Sequence, residues 1–174
     1  DVTVEEEVDI LVKMVVAQHG RLDVMVCNAG GVTMDRPTHV PDGSADEFMN
    51  TFEKNTKSTY MCAQAAARVM IPRRSGTIIT IGSIHGSFTN DKRFYHGLTM
   101  GRGGGAYQTA KGGIINLTRY LSGQLGEYGI TVNCISPGQI PRPDHEPEFV
   151  EKARLSIPLE RTGTPDDLKG PVAL

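Results

Sequence analysis

No apolar run in the 174 residues approaches the roughly 18 that a membrane span needs, and no signal-peptide pattern opens the chain. A soluble, cytoplasmic domain is therefore the expectation. Charge of one sign is also missing. Eighteen Lys and Arg stand against 20 Asp and Glu, a net of −2 with no dense basic run. Binding to nucleic acid or a membrane surface through bulk charge gets no support. Cysteine is scarce: Cys27, Cys62 and Cys134 are an odd, scattered set without a C-x-x-C pair, which argues against a disulfide framework or a metal site. Internal repeats and low-complexity tracts are absent as well. What is present is 39% hydrophobic residues in a length suited to one domain, residues 1–174. A domain of about 150 residues buries roughly 70% of its unfolded surface, enough for a real core.

Val4, Val8, Leu11, Val12 and Val15 recur at helical spacing, with Glu5, Glu6 and Glu7 in the first turn. Thr3 is placed to cap this helix, Glu6 to complete a capping box and Gly20 to stop it. Leu22 to Cys27 reads as a short buried strand, followed by Asn28-Ala29-Gly30-Gly31 and a polar loop from Thr33 to Gly43. Ser44 to about Met70 carries one helical pattern through Phe48, Phe52, Met61, Ala65 and Val69. Thr77 to Ile81, β-branched throughout, is a second buried strand. An irregular segment follows from Ser83 to Gly105. Ala106 to about Tyr128 is helical, with Ile114, Leu117, Leu121 and Leu125 on one face. Ile130 to Ile135 forms a third strand, ended by Ser136-Pro137-Gly138, and short helices are expected near 147–155 and from Thr164. Helix and strand in alternation predict an α/β domain, a parallel sheet with crossover helices. Strands without polar alternation predict cover on both faces.

Ligands of open parallel sheets sit beyond the carboxyl ends of the strands. That rule singles out Asn28-Ala29-Gly30, Gly82-Ser83 and Pro137-Gly138 on one rim. The third long helix adds Tyr107 and Lys111, whose i, i+4 spacing puts them on one face a turn apart. An ammonium beside a phenol favours phenolate, the requirement for acid–base work near neutrality. An ordinary exposed pair at this spacing is the plainer alternative, and only the order of the four motifs along the chain argues against it.

Asn-Ala-Gly, strand-Gly-Ser, Tyr-x-x-x-Lys and strand-Ser-Pro-Gly, in that order, resemble the short-chain dehydrogenase/reductase family over essentially the whole chain. The resemblance implies a doubly wound, Rossmann-like sheet and an NAD or NADP coenzyme. It implies that Tyr107 exchanges a proton with the substrate oxygen, Ser83 orients that oxygen, and Lys111 lowers the Tyr pKa and holds the nicotinamide ribose. Asn55 matches the member whose backbone helps hold a proton-relay water. Asn28, Ala29 and Gly30 resemble the loop beside the cofactor ribose. Pro137, Gly138 and Ile140 resemble the turn beside the nicotinamide, and Asp1 resembles the acidic residue near the adenine. The substrate is then a small secondary alcohol or ketone. The run from Tyr107 to Thr118 is similar to gluconate-5-dehydrogenase-like members, which points to a polyol, sugar acid or sugar derivative.

The chain opens near the end of what would be the family's third strand, so a partial domain lacking the first strands and the glycine-rich loop is expected. Gly101 to Ala106 mimics that loop without a strand before it and reads instead as the start of the catalytic helix. Ser83 and Tyr107 stand further apart than is usual for the family, which marks residues 84–105 as an inserted loop on the substrate side. Its Asp91, Lys92, Arg93, Tyr95, His96 and Arg102 either recognise a polar substrate or form a solvated surface. His85 either reaches the site or is structural. The resemblance also implies a homodimer or homotetramer at full length, through the helices at 44–70 and 106–128. A non-catalytic nucleotide-binding regulator or scaffold is the alternative function, as is an inactive fragment. Retention of Asn55, Ser83, Tyr107 and Lys111 together speaks against the binder.

Overall fold

Three strands, β1 (Val24–Cys27), β2 (Gly76–Ile81) and β3 (Ile130–Ile135), pair in parallel in the order β1-β2-β3. The structure is a computed structural model that describes residues 1–31, 40, 43–89, 91–98 and 104–173. Register is set by Met25 opposite Ile78 and Ile78 opposite Val132, so these three share one face of the sheet. Against that face pack α1 (Glu5–His19), α3 (Ser58–Met70) and α4 (Gly105–Leu125). Val8, Val12, Ala63, Ala66, Met70, Leu121 and Leu125 join Ile78, Ile130 and Val132 in one core.

The opposite face departs in part from the expectation of cover. Val24 is 51% and Val26 42% exposed on β1, and Thr131 and Asn133 are exposed on β3, while Ile79 between them on β2 is only 4% exposed. The reason is topological. Right-handed crossovers between strands added in one direction place both connecting helices on the same side. Among the described residues β1 also has only one strand neighbour, so of the strand expected to be buried, Cys27 alone is.

The first helix lacks its expected capping box. Helix α1 begins at Glu5 behind Val4, and Thr3 instead gives both its N–H and its hydroxyl to the Asp1 carboxylate, at 2.8 and 2.9 Å. Gly20 does stop the helix, in the left-handed conformation at φ 76°, with its N–H on the Val16 carbonyl. The long helix expected from Ser44 is three pieces: α2 (Ala45–Phe52), a π-helical turn at Glu53–Lys57, and α3. Ser44 caps α2 by accepting the Glu47 N–H. After β3 come α5 (Pro147–Ser156), a 3-10 turn at Pro165–Leu168 and α6 (Lys169–Ala173). Thr164 and Asp167 form a capping box on that turn. The polar loop falls mostly, and the Gly101-Arg102-Gly103 run wholly, outside the described residues. Gly104 caps α4, and Gly105 is its first residue. Among the described residues no helix is long and apolar enough to cross a membrane.

Candidate active site

Parallel pairing aligns the three strand ends, so Asn28-Ala29-Gly30, Ser83 and Pro137-Gly138 do lie along one rim. The β2–β3 ladder runs on into the rim loops, with the Gly82 N–H on Ile135 O at 2.8 Å and the Ile84 N–H on Pro137 O at 3.1 Å. Ser83 is buried at the start of a 3-10 turn, Ile84–Gly86, whose His85 N–H its Oγ accepts at 3.1 Å. A hydroxyl carries one proton as well as its lone pairs, so Ser83 still has a hydrogen to donate.

Helix α4 brings up the other two groups. Lys111 is only 6% exposed, and its Nζ donates to the carbonyl of Ile81, the last residue of β2, at 2.8 Å. The same ammonium lies 5.7 Å from the centre of the half-buried Tyr107 ring. Burial pulls the Lys111 pKa below its ordinary 10.5, opposed by the nearby Cys134 sulfur. One carbonyl takes one of three ammonium hydrogens, which leaves donors for a ligand at the rim.

Asn55 is fully buried in the middle of the π-helical turn, a distortion that recurs at functional sites. Its side chain holds the loop after β1: Nδ2 donates to Gly31 O at 2.7 Å and to Thr51 O at 2.8 Å, while Oδ1 accepts the Gly31 N–H at 3.1 Å. Its carbonyl accepts the hydroxyls of Ser58 at 3.1 Å and Thr59 at 2.7 Å. The single Ser58 hydrogen is shared with the nearer Lys54 carbonyl, at 2.8 Å. Gly30 adopts φ 150°, and a Cβ there would lie 2.6 Å from Asn55 Oδ1. The missing Cβ of Gly30 thus makes room for Asn55, and the loop that Asn55 fixes lies on the rim where open α/β sheets bind dinucleotides. Asp1 sits before α1 with its carboxylate taken up by Thr3. Ile140 is half-buried and packs against Gly163.

Three further residues set this geometry and were not singled out in the sequence. A Cβ on Gly86 would meet Lys111 C and O at 2.8 Å, so the Ser83 turn lies directly on α4. On the helix itself Gly112 faces the Gly86 backbone, and Gly113 faces Thr56 of the π turn. Thr56 Oγ1 then donates to Ala110 O at 2.9 Å. The glycine pair inside a strong helical pattern was the available signal, since helix-interior glycine costs about 1 kcal/mol relative to Ala and calls for a packing reason.

Beyond the Ser83 turn opens a cleft of about 560 Å³, lined by Ile84, His85 and Phe88 on one side and Gly138, Gln139 and Ile140 on another. Phe94 and Tyr95 reach it from the expected inserted loop. Arg93 does not: its side chain is 91% exposed and paired with Asp91. Lys92 does not line the cleft either, and Arg102 lies outside the described residues. His85 is half-buried, and that burial lowers its pKa. Cys27 and Cys62 are buried, and burial pushes the Cys27 thiol up to about 12. Among the described residues no three His, Cys, Asp or Glu side chains cluster as a metal site would need.

A family model described as enoyl-(acyl carrier protein) reductase matches residues 1–174. Cyclohexanol dehydrogenase of Rhodococcus sp. (strain TK6) is 34% identical over 175 residues, covering 98% of this chain and 62% of that protein. A short chain dehydrogenase of Leptospira borgpetersenii serovar Hardjo-bovis (strain JB197), solved with bound NAD+, superposes with a TM-score of 0.86 at 31% identity. That match covers 99% of this chain and 64% of the other. An NAD+-bound xylitol dehydrogenase superposes with a TM-score of 0.83 at 29% identity, covering 99% and 69%. The chain spans about half to three fifths of the length of the curated relatives it matches.

Proposed function

The chain belongs to the short-chain dehydrogenase/reductase family, and from that premise we propose that the protein carrying it oxidises a secondary alcohol, or reduces a ketone, with NAD or NADP. The observation that carries this reading is the buried Lys111, held at the end of β2 by Ile81 O and 5.7 Å from the Tyr107 ring. A lysine is rarely buried without a partner, and here its acceptor, the Ile81 carbonyl, stands two residues before Ser83 on the ligand-binding rim.

Bound coenzyme supplies or accepts the hydride at its nicotinamide ring. Lys111, Asn28, Ala29, Gly30, Pro137, Gly138 and Ile140 would hold it, with Asp1 towards the adenine. Ser83 donates its remaining hydrogen to the substrate oxygen and so fixes its direction. Tyr107 gives a proton to that oxygen in reduction and takes one from it in oxidation. The Lys111 ammonium offsets the negative charge left on the phenol oxygen during the transfer. Asn55 acts as a positioning residue, setting the Asn28–Gly31 loop through its side-chain amide.

The residues 84–105 loop covers the substrate side of the site in this reading. The named relatives include both a cyclohexanol and a xylitol dehydrogenase, so likeness alone does not choose between a hydrocarbon substrate and the polyol or sugar derivative implied by the sequence. A homodimer or homotetramer is part of the same proposal. Met49, Tyr60 and Tyr120, exposed at 59%, 41% and 58% on α2, α3 and α4, are apolar surface that such an assembly would cover.

The test is a fluorescence titration of the intact protein with NADH and with NADPH. Saturable binding of one or both that is displaced by the oxidised form is the expected result. Binding of neither would contradict the proposal.

A further inference from the structure

Granted the oxidoreductase reading above, on which this rests, we infer that the substrate is an uncharged, largely hydrocarbon alcohol or ketone, alicyclic or aromatic, received by the cleft beyond the Ser83 turn. The cleft begins at Ile84, one residue after Ser83, and reaches Gly138 and Ile140 across the hydrogen bond from Ile84 to Pro137. Ser83 and Tyr107 do not line the cleft themselves, so the tie to the chemistry is the Ser83 turn, whose Ile84 and His85 do. The cleft volume of about 560 Å³ lies within the range of small-molecule sites, roughly 300–1,000 Å³.

The wall is mostly apolar: Phe88, Phe94, Ile140, Ile157, Leu159 and Leu168 line it, beside Thr89, Tyr95, Gln139 and Ser156. Phe88 is 71% and Leu159 75% exposed, so large hydrocarbon groups face the opening rather than a core. Apolar side chains gathered around a concavity mark a surface for an apolar ligand. The wall is also held in place. Phe94 meets the buried Phe149 of α5 edge-on at 5.6 Å, and Lys152 of α5 donates to the His96 carbonyl.

The charged groups in the wall are already matched to each other. Arg161 places both guanidinium nitrogens on the Asp167 carboxylate, at 3.0 and 2.9 Å, and that carboxylate also accepts the Thr164 N–H at 2.8 Å. Asp91 is gripped by Arg93 at 2.7 Å. The bidentate Asp167 already offsets the Arg161 charge, which weakens its pull on the carboxylate of a sugar acid. His85, neutral through burial, adds no cation. Most of the wall offers a polyol no partner, and each hydroxyl turned to its hydrocarbon gives up water without a replacement. The inferred class differs from the polyol or sugar derivative that the sequence resemblance implies.

In the intact protein, coenzyme reduction is measured with cyclohexanol, 1-indanol and 1-phenylethanol against xylitol and D-gluconate. The expected kcat/KM for the hydrocarbon alcohols is at least ~100-fold higher, the scale on which a site rejects partners that it cannot satisfy. Phe88→Ser should raise KM for 1-indanol about tenfold through lost apolar contact, with the unfolding midpoint unmoved because Phe88 is mostly exposed. Preference for xylitol or D-gluconate would overturn the substrate class and leave the oxidoreductase reading standing. Reduction with no alcohol of either set would remove the reading itself. Saturation-transfer NMR with 1-indanone needs no turnover and separates the two: contact in the native protein that Phe88→Ser weakens supports the cleft, and no contact overturns it.

Discussion

Asn55 closes a two-way hydrogen-bonded ring on Gly31, its Nδ2 on the Gly31 carbonyl at 2.7 Å and its Oδ1 on the Gly31 N–H at 3.1 Å. A side-chain amide here does what a neighbouring strand would do, and it fixes the loop after β1 where no sheet partner reaches. The π-helical turn at Glu53–Lys57 aims it, and Gly30 leaves it room.

Asn55→Leu therefore strands buried donors and acceptors in that loop. Unfolding by urea should show a loss of about 2–4 kcal/mol, the sum expected when several buried groups lose their partners. Gly30→Ala should act in the same direction, because its Cβ would lie 2.6 Å from Asn55 Oδ1 and its φ of 150° suits glycine. Unchanged stability in both variants would mean that the clamp contributes nothing.

Gly86 sets how closely the Ser83 turn approaches α4. A Cβ there meets backbone atoms of Lys111 at 2.8 Å, and backbone cannot rotate away. Gly86→Ala should cost ~1–3 kcal/mol, as overpacking does, and lower kcat because Ser83 moves off Tyr107 and Lys111. Wild-type kcat in the variant would detach the turn from the chemistry.

Burial holds the folded-state pKa of Lys111 below 10.5, its ordinary value. Between those two values the unfolded chain binds the extra proton, so this residue adds stability as pH rises through the window and adds none below the folded value. Lys111→Met should consequently unfold at an equal or higher urea concentration at pH 7, with the wild type gaining on it as pH approaches 10.5. The same variant should lose coenzyme binding. A stability loss at pH 7 would give the ammonium a structural role instead.

The element order, the rim and the Tyr107–Lys111 helix were legible because each depends on local pattern: β-branched strands, a 3.6-residue period, and glycine or proline at strand ends. The exposed β1 edge was not, since Val24 and Val26 read as buried by hydrophobicity alone, while among the described residues β1 has a strand neighbour on one side only. The π turn left no mark in the periodicity of Phe48, Phe52 and Met61, which spans it without a visible break. Thr3 does not cap α1 because its hydroxyl and its N–H both go to Asp1 Oδ1, a contact that helical periodicity does not reveal. In the 84–105 loop the sequence left polar recognition and a solvated surface open; Arg93 is exposed and paired with Asp91, and Phe88, Asp91, Phe94 and Tyr95 line the cleft.

The proton exchange assigned to Tyr107 is tested most directly by Tyr107→Phe, which removes one oxygen from a half-buried side chain and nothing else. In the intact protein, coenzyme reduction by a secondary alcohol is compared with NADH binding by fluorescence. The expected result is a kcat lower by ~10²–10⁴, the usual contribution of a positioned acid–base group, with NADH binding retained. Turnover within a few-fold of the wild type would contradict the role of Tyr107 and the mechanism built on it.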